Sequence, residues 1–151
     1  MKTVYRFWIT IIWLAVVAQI AGAAYGAFYS VQKFGDQSGA DEQKVINEKV
    51  FDHGFAFHTG FGYLIFLASL VLLLIALAAR LGKRRVLWAL AVPLLVALQI
   101  VLAWISGGVH AVGILHGLNA LVIFALTGYL TGEAWREHRA GSASPAASPA
   151  V

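Results

Sequence analysis

The stretch that decides the fold is His116-Gly-Leu-Asn-Ala-Leu-Val-Ile-Phe124, which lies at the start of the last long apolar run of a 151-residue chain. It has an echo 58 residues earlier, in His58-Thr-Gly-Phe-Gly-Tyr-Leu-Ile-Phe66. In both, a histidine opens a stripe with steps of four, three and four, which is one face of an α-helix. The first stripe is His58, Gly62, Ile65 and Ser69; the second is His116, Ala120, Ile123 and Thr127. Each sets a small residue one turn below the imidazole and a hydroxyl three turns below. The two faces are expected to point at each other across a bundle and to hold something flat between them.

Composition fixes the setting of that bundle. The chain is 60% hydrophobic and 12% charged, whereas an average soluble domain carries about 25% charged residues. Its apolar residues come in runs long enough to cross a bilayer. We therefore expect an all-α membrane protein with four spans, over residues 4–29, 51–79, 86–106 and 110–135. The first run, after Lys2 and Arg6, is too long for a signal-peptide core, so it is expected to be retained as a helix. Trp8 and Trp13 towards one end of it, and Tyr25 and Tyr29 towards the other, fit interfacial belts. Gln19, Gly22 and Gly26 share a face, the pattern of close helix packing. Pro93 falls inside the third run and is expected to kink it. Residues 32–50 form a polar connection, with a short surface helix expected from Asp41 to Val50. Residues 140–151, rich in Ala, Ser and Pro, read as a disordered tail.

There is no cysteine, which excludes disulfides, thiolate metal ligands and c-type haem attachment. The net charge of +4 belongs to membrane topology and not to nucleic-acid binding. With four spans, Lys2, Arg6, Arg80, Lys83, Arg84, Arg85, Arg136 and Arg139 share one side, against Lys33, Lys44 and Lys49 on the other. The positive-inside rule then puts both termini in the cytoplasm of a cell-membrane protein. His53, His58, His110 and His116 fall towards the outer face.

The first and third spans match as well, at an offset of 80: Trp8 with Trp88, Gln19 with Gln99, Ile20 with Ile100, Ala23 with Ala103. The chain thus reads as a 2+2 pseudo-repeat of up-and-down hairpins, with its twofold axis along the membrane normal. That symmetry puts His58 and His116 at equal depth on diagonal helices, roughly 10 Å from the outer boundary at helical rise.

An ionisable side chain inside a span is costly and marks a functional site by default. Several chemistries fit this pattern. Bis-histidine ligation of haem b takes two imidazoles from facing helices. Gly54, Gly60, Gly62, Gly113, Gly117 and Ala120 would give a porphyrin room. Phe57, Phe61 and Phe66 would pack on it, and Asn119, Gln19 and Gln99 would orient the imidazoles or hold propionates. A copper or zinc site built from His53, His58, His110 and His116 suffers from spacing, since residues five or six apart do not share a helix face. A third possibility is a non-haem structural or accessory subunit, whose histidines and glutamines only bond across helices. A proton or substrate pathway, or a quinone pocket, completes the set.

The order of Gln19 in the first span, Phe55 to Gly62 in the second, Leu98-Gln99 in the third and Leu115 to Phe124 in the fourth resembles a family of small bacterial four-helix membrane proteins of unknown function. More distantly, the placement of His58 and His116, with Gln19-Ile-Ala-Gly22 and Gln99, is similar to one half of haem A synthase. That enzyme brackets a haem with histidines on the second and fourth helices of each half. Phe55 and Thr59 stand where the synthase has Glu and Arg, so the likeness implies haem binding and not the oxidation chemistry. The expectation is a small b-type cytochrome with His58 and His116 as metal ligands. It would serve electron transfer or haem handling beside redox-complex subunits or as a homo-oligomer. With both axial positions filled it would not act as an enzyme alone.

Overall fold

Each apolar run winds into one long helix, because a backbone in hydrocarbon must satisfy its own N–H and C=O groups. The computed structural model describes residues 1–35 and 49–142. Its helices are α1 (Lys2–Gly35), α2 (Val50–Ala78), α3 (Lys83–Ser106) and α4 (Val112–Ser142). Each is long and apolar enough to cross a membrane. Of the most apolar window of each, only 22% is buried in the first three and 17% in the fourth. Leu64, Leu67, Leu74 and Leu94 are among the many large apolar residues left facing outwards, as a lipid-facing surface requires. The protein is a multi-pass membrane protein with an all-helical bundle.

The helices pack in a ring, α1 on α2, α2 on α3, α3 on α4 and α4 on α1, so α2 and α4 are diagonal. The core obeys the two sequence offsets. Ile9 and Ala89, Ile12 and Val92, and Val16 and Val96 are buried pairs 80 residues apart. Ile65 and Ile123, Ser69 and Thr127, and Leu72 and Leu130 are buried pairs 58 apart. Both histidine stripes therefore face the bundle axis along their length. Ser69 and Thr127, with nowhere else to bond, donate back to carbonyls of their own helices, Phe66 at 2.6 Å and Ile123 at 2.8 Å.

Several boundaries differ from those expected. α3 starts at Lys83, three residues before the expected span, and holds the buried Pro93 inside it, as expected. α4 does not stop near Trp135 but continues to Ser142, carrying Ala140 to Ser142 as helix. The rest of the expected tail, and all but the last two residues of the expected helix from Asp41 to Val50, lie outside the described residues. The turn between α2 and α3 is tight, with Gly82 at φ 83°, a value that suits a residue lacking Cβ.

The glycines of the first face do what small residues do in membranes. A Cβ on Gly26 would stand 2.7 Å from Phe55 Cδ1 and 2.9 Å from the Gly54 carbonyl oxygen; one on Gly54 would meet the Gly26 oxygen at 3.0 Å. Here α1 and α2 touch backbone to backbone. A Cβ on Gly60 meets nothing within 4 Å. Gly26→Ala should therefore lower the stability of the purified protein by about 1–3 kcal/mol, as overpacking does, while Gly60→Ala changes it by less than about 0.5 kcal/mol. Denaturation in mixed micelles, followed by circular dichroism, measures both.

Candidate functional site

Both histidines are held by the same device. The Nδ1 of His58 lies 3.1 Å from the main-chain oxygen of Gln19, and the Nδ1 of His116 lies 3.1 Å from that of Gln99. A carbonyl oxygen can only accept, so each Nδ1 carries the proton and donates. In return the side-chain Nε2 of Gln19 donates to the His58 carbonyl at 2.5 Å, and that of Gln99 to the His116 carbonyl at 3.0 Å. Each glutamine–histidine clasp ties an odd-numbered helix to the even-numbered helix that follows it.

With Nδ1 protonated and spent, a neutral imidazole has its lone pair on Nε2. The ring centres of His58 and His116 are 6.3 Å apart, with planes inclined at 65°. The two side chains thus offer two basic nitrogens and no further donor to whatever lies between them.

Both rings line a cleft of about 510 Å³. Its wall is almost entirely paired by the repeat: Val16 with Val96, Gln19 with Gln99, Ile20 with Ile100, Ala23 with Ala103, His58 with His116, Thr59 with Gly117, Gly62 with Ala120, Tyr63 with Leu121, and Ile65 with Ile123. Trp104 has no counterpart there, since Ala24 stands 80 residues before it. Val16, Val96, Ile65 and Ile123, one from each helix and all buried, close the inner end as a ring of β-branched side chains. The cleft is apolar apart from the clasps and a few hydroxyls, which is the composition of a site for a large apolar ligand fixed by a few polar atoms.

The structure brings His58, His116, Gln19, Gln99, Gly62 and Ala120 together on this wall. Asn119 stands behind it. Its Nδ2 donates to the Leu95 carbonyl at 2.9 Å and to Gln99 Oε1 at 2.7 Å, so it fixes Gln99 and does not line the cleft. At the equivalent place, 58 residues earlier, stands Phe61. Accordingly Gln19 Oε1 is buried with no partner among the described residues. Gly54 belongs to the α1–α2 contact and Gly60 is exposed. Phe57 stacks on Phe61 with ring centres 5.0 Å apart, and neither they nor Phe66 line the cleft. Thr59, Tyr63 and Trp104, which do, sit off the histidine stripes, and only the cleft's breadth reveals them. His53 and His110 are exposed. No group of three or more His, Asp or Glu among the described residues is placed to hold a metal ion.

Fold and site together define a small polytopic α-helical membrane protein with a pseudo-twofold apolar cleft gripped by two clasped histidines. Residues 50–107, which take in α2, α3 and the turn between them, match the family described as "Family of unknown function (DUF6220)". No curated protein and no solved structure matches the chain, so the likeness to one half of haem A synthase gains no support there.

Replacing Asn119 by Leu strips Gln99 Oε1 and the Leu95 carbonyl of their donor. Loss of a buried partner costs about 1–3 kcal/mol, so Asn119→Leu should destabilise the fold by that order. Phe61→Leu, at the matching place, breaks no hydrogen bond and should cost less. Paired chemical-denaturation curves in detergent compare the two.

Proposed function

We propose that the protein is a b-type cytochrome that binds haem b in the cleft, where His58 and His116 would hold its iron. The observation that carries this reading is the separation of the imidazoles. Metal–imidazole bonds of about 2.0 Å, with about 1.1 Å from each nitrogen to its ring centre, set the rings about 6.2 Å apart when they share an ion from opposite sides. The 6.3 Å between His58 and His116 meets that requirement. The protonated Nδ1 atoms leave Nε2 to bind, and hydrogen bonding of the distal nitrogen to a carbonyl is the usual support of a metal-bound imidazole. Gly62, Gly117 and Ala120 keep the wall low beside the rings, and the paired wall suits a macrocycle with matching halves.

Haem held there supplies one-electron redox chemistry. The chain's own part is to fix both imidazoles, hold their tautomers through Gln19 and Gln99, and keep water from the inner side with the Val16–Val96–Ile65–Ile123 ring. With two protein ligands the iron would have no open position, which favours electron transfer or haem handling beside other redox subunits over independent catalysis.

Protein purified from cells supplied with haem should show, on reduction, the sharp α-band of a six-coordinate low-spin haem. His58→Ala and His116→Ala should each abolish it, and added imidazole should restore part of it to either variant. A colourless protein, equally stable from haem-fed and haem-starved cells, would make the clasps helix fasteners and the protein a non-haem accessory subunit.

We further infer that the protein sits in the cell membrane with both termini cytoplasmic, supported by the eight Lys and Arg of the basic end. The chain lacks cysteine, so single replacements can be labelled cleanly. In intact cells His110→Cys should react with a membrane-impermeant maleimide and Arg139→Cys should not; the opposite pattern reverses the orientation.

A further inference from the structure

At the basic end of the bundle, well away from the histidine cleft, a second cavity of about 390 Å³ opens between α1, α4 and the start of α3. Its wall includes Lys2, Tyr5, Arg6, Arg85, Glu133 and Glu137. The carboxylates are already taken: Glu137 pairs with Arg85, and Glu133 lies 3.4 Å from Arg84. Arg6 is different. Its guanidinium lies over the Trp135 ring at 4.7 Å and near Phe7 at 5.2 Å, and Trp135 is itself anchored to Thr10 Oγ1 at 3.0 Å. The guanidinium is thus fixed in an aromatic clamp and has no carboxylate partner among the described residues.

Two donors on this wall are unused. Tyr5 is 4% exposed and Arg6 is 9% exposed. The Tyr5 hydroxyl and the Arg6 Nε are buried with no hydrogen-bond partner among the described residues. Unpaired buried donors beside an uncompensated cation ask for an anion with several acceptor oxygens. Arg80, Lys83, Arg84, Arg136 and Arg139 crowd the same end, which sets it at the level of lipid headgroups and raises the local concentration of anions.

We propose that this pocket binds a phosphate group, from an anionic phospholipid headgroup or from free phosphate, through the Arg6 guanidinium and the Tyr5 hydroxyl. A guanidinium presents N–H donors in a planar fork that fits two phosphate oxygens, and the phenol adds one more. Lys2 completes the positive side of the wall.

Native mass spectrometry of the full chain, released from detergent and titrated with phosphatidylglycerol or phosphatidylcholine, tests the site. One phosphatidylglycerol should bind saturably and at least about tenfold more tightly than phosphatidylcholine, with Arg6→Gln and Tyr5→Phe each weakening it by about tenfold, the scale of a hydrogen bond to a charged group. Arg139→Gln, a cation of the same end that is not on the pocket wall, should change it less than about twofold. A parallel arm measures thermal stability in millimolar inorganic phosphate. Stabilisation of the wild type but not of Tyr5→Phe, without lipid preference, identifies free phosphate as the source. Tyr5→Phe removes a single oxygen and decides the matter if Arg6→Gln cannot be purified. Equal weakening by Arg139→Gln, or binding of both phosphate sources unchanged by Tyr5→Phe, overturns the proposal.

Discussion

A polar side chain surrounded by hydrocarbon must find its partner inside the protein, and this constraint organises the bundle. The clasp between Gln99 and His116 meets it in full, and the clasp between Gln19 and His58 meets it but for one amide oxygen. In each, a side chain of one helix donates to a main-chain oxygen of the other, in both directions. A pair of opposed bonds fixes the sliding register of two helices, which apolar packing alone leaves soft. Trp8, bonded to the Ala68 carbonyl at 2.9 Å, adds a second register point between α1 and α2. Once both hairpins are in register, the depth and facing of the imidazoles are no longer free.

The internal symmetry holds in the cleft wall and the buried core beyond it, and fails among the groups around them. Trp8 donates a hydrogen bond while its counterpart Trp88 is exposed. Tyr5 is buried, whereas Arg85, 80 residues on, takes part in an ion pair. The glycine contact between α1 and α2 also has no copy, since Ser106 replaces Gly26 and Val112 replaces Gly54 under the two offsets. The shared part of the two halves is thus the cleft wall and the buried core stripes beyond it, and the divergent part is what surrounds them. Asn119 against Phe61 carries the divergence one step into the clasps, leaving the second glutamine fully bonded and the first with a spare oxygen.

Much of this was legible in the residues. Runs of apolar residues gave four spans, and a fixed spacing of His58, Ile65 and Ser69 against His116, Ile123 and Thr127 gave the inward faces. The equal offset of Gln19 and Gln99 pointed to a shared role. That the glutamine main chain, more than its amide, steadies each imidazole was not legible, because every residue carries the same carbonyl. Asn119 read as a cleft residue because it lies three positions after His116, yet that step turns it towards α3 and Leu95. Phe57, Phe61 and Phe66 read as ring-packing aromatics for lack of a signal separating one helix face from the next in an apolar run. The clamp on Arg6 was hidden for a different reason: it joins residues from opposite ends of the chain.

The helices are of unequal length. At about 1.5 Å per residue, the 24 residues of α3 reach about 36 Å, little more than the roughly 30 Å of hydrocarbon in a bilayer. The 34 residues of α1 and 31 of α4 reach about 51 and 46 Å by the same measure. The surplus must tilt or leave the membrane, and the charges show where it leaves. α4 emerges with Glu133, Arg136, Glu137 and Arg139, and α1 at the opposite end with Lys33. At the basic end the last turns of α4 do not stand free: Gly141 and Ser142 line one cavity with Lys2 and Thr3 of α1, so the added length of α4 serves as a wall that leans over the start of the first half.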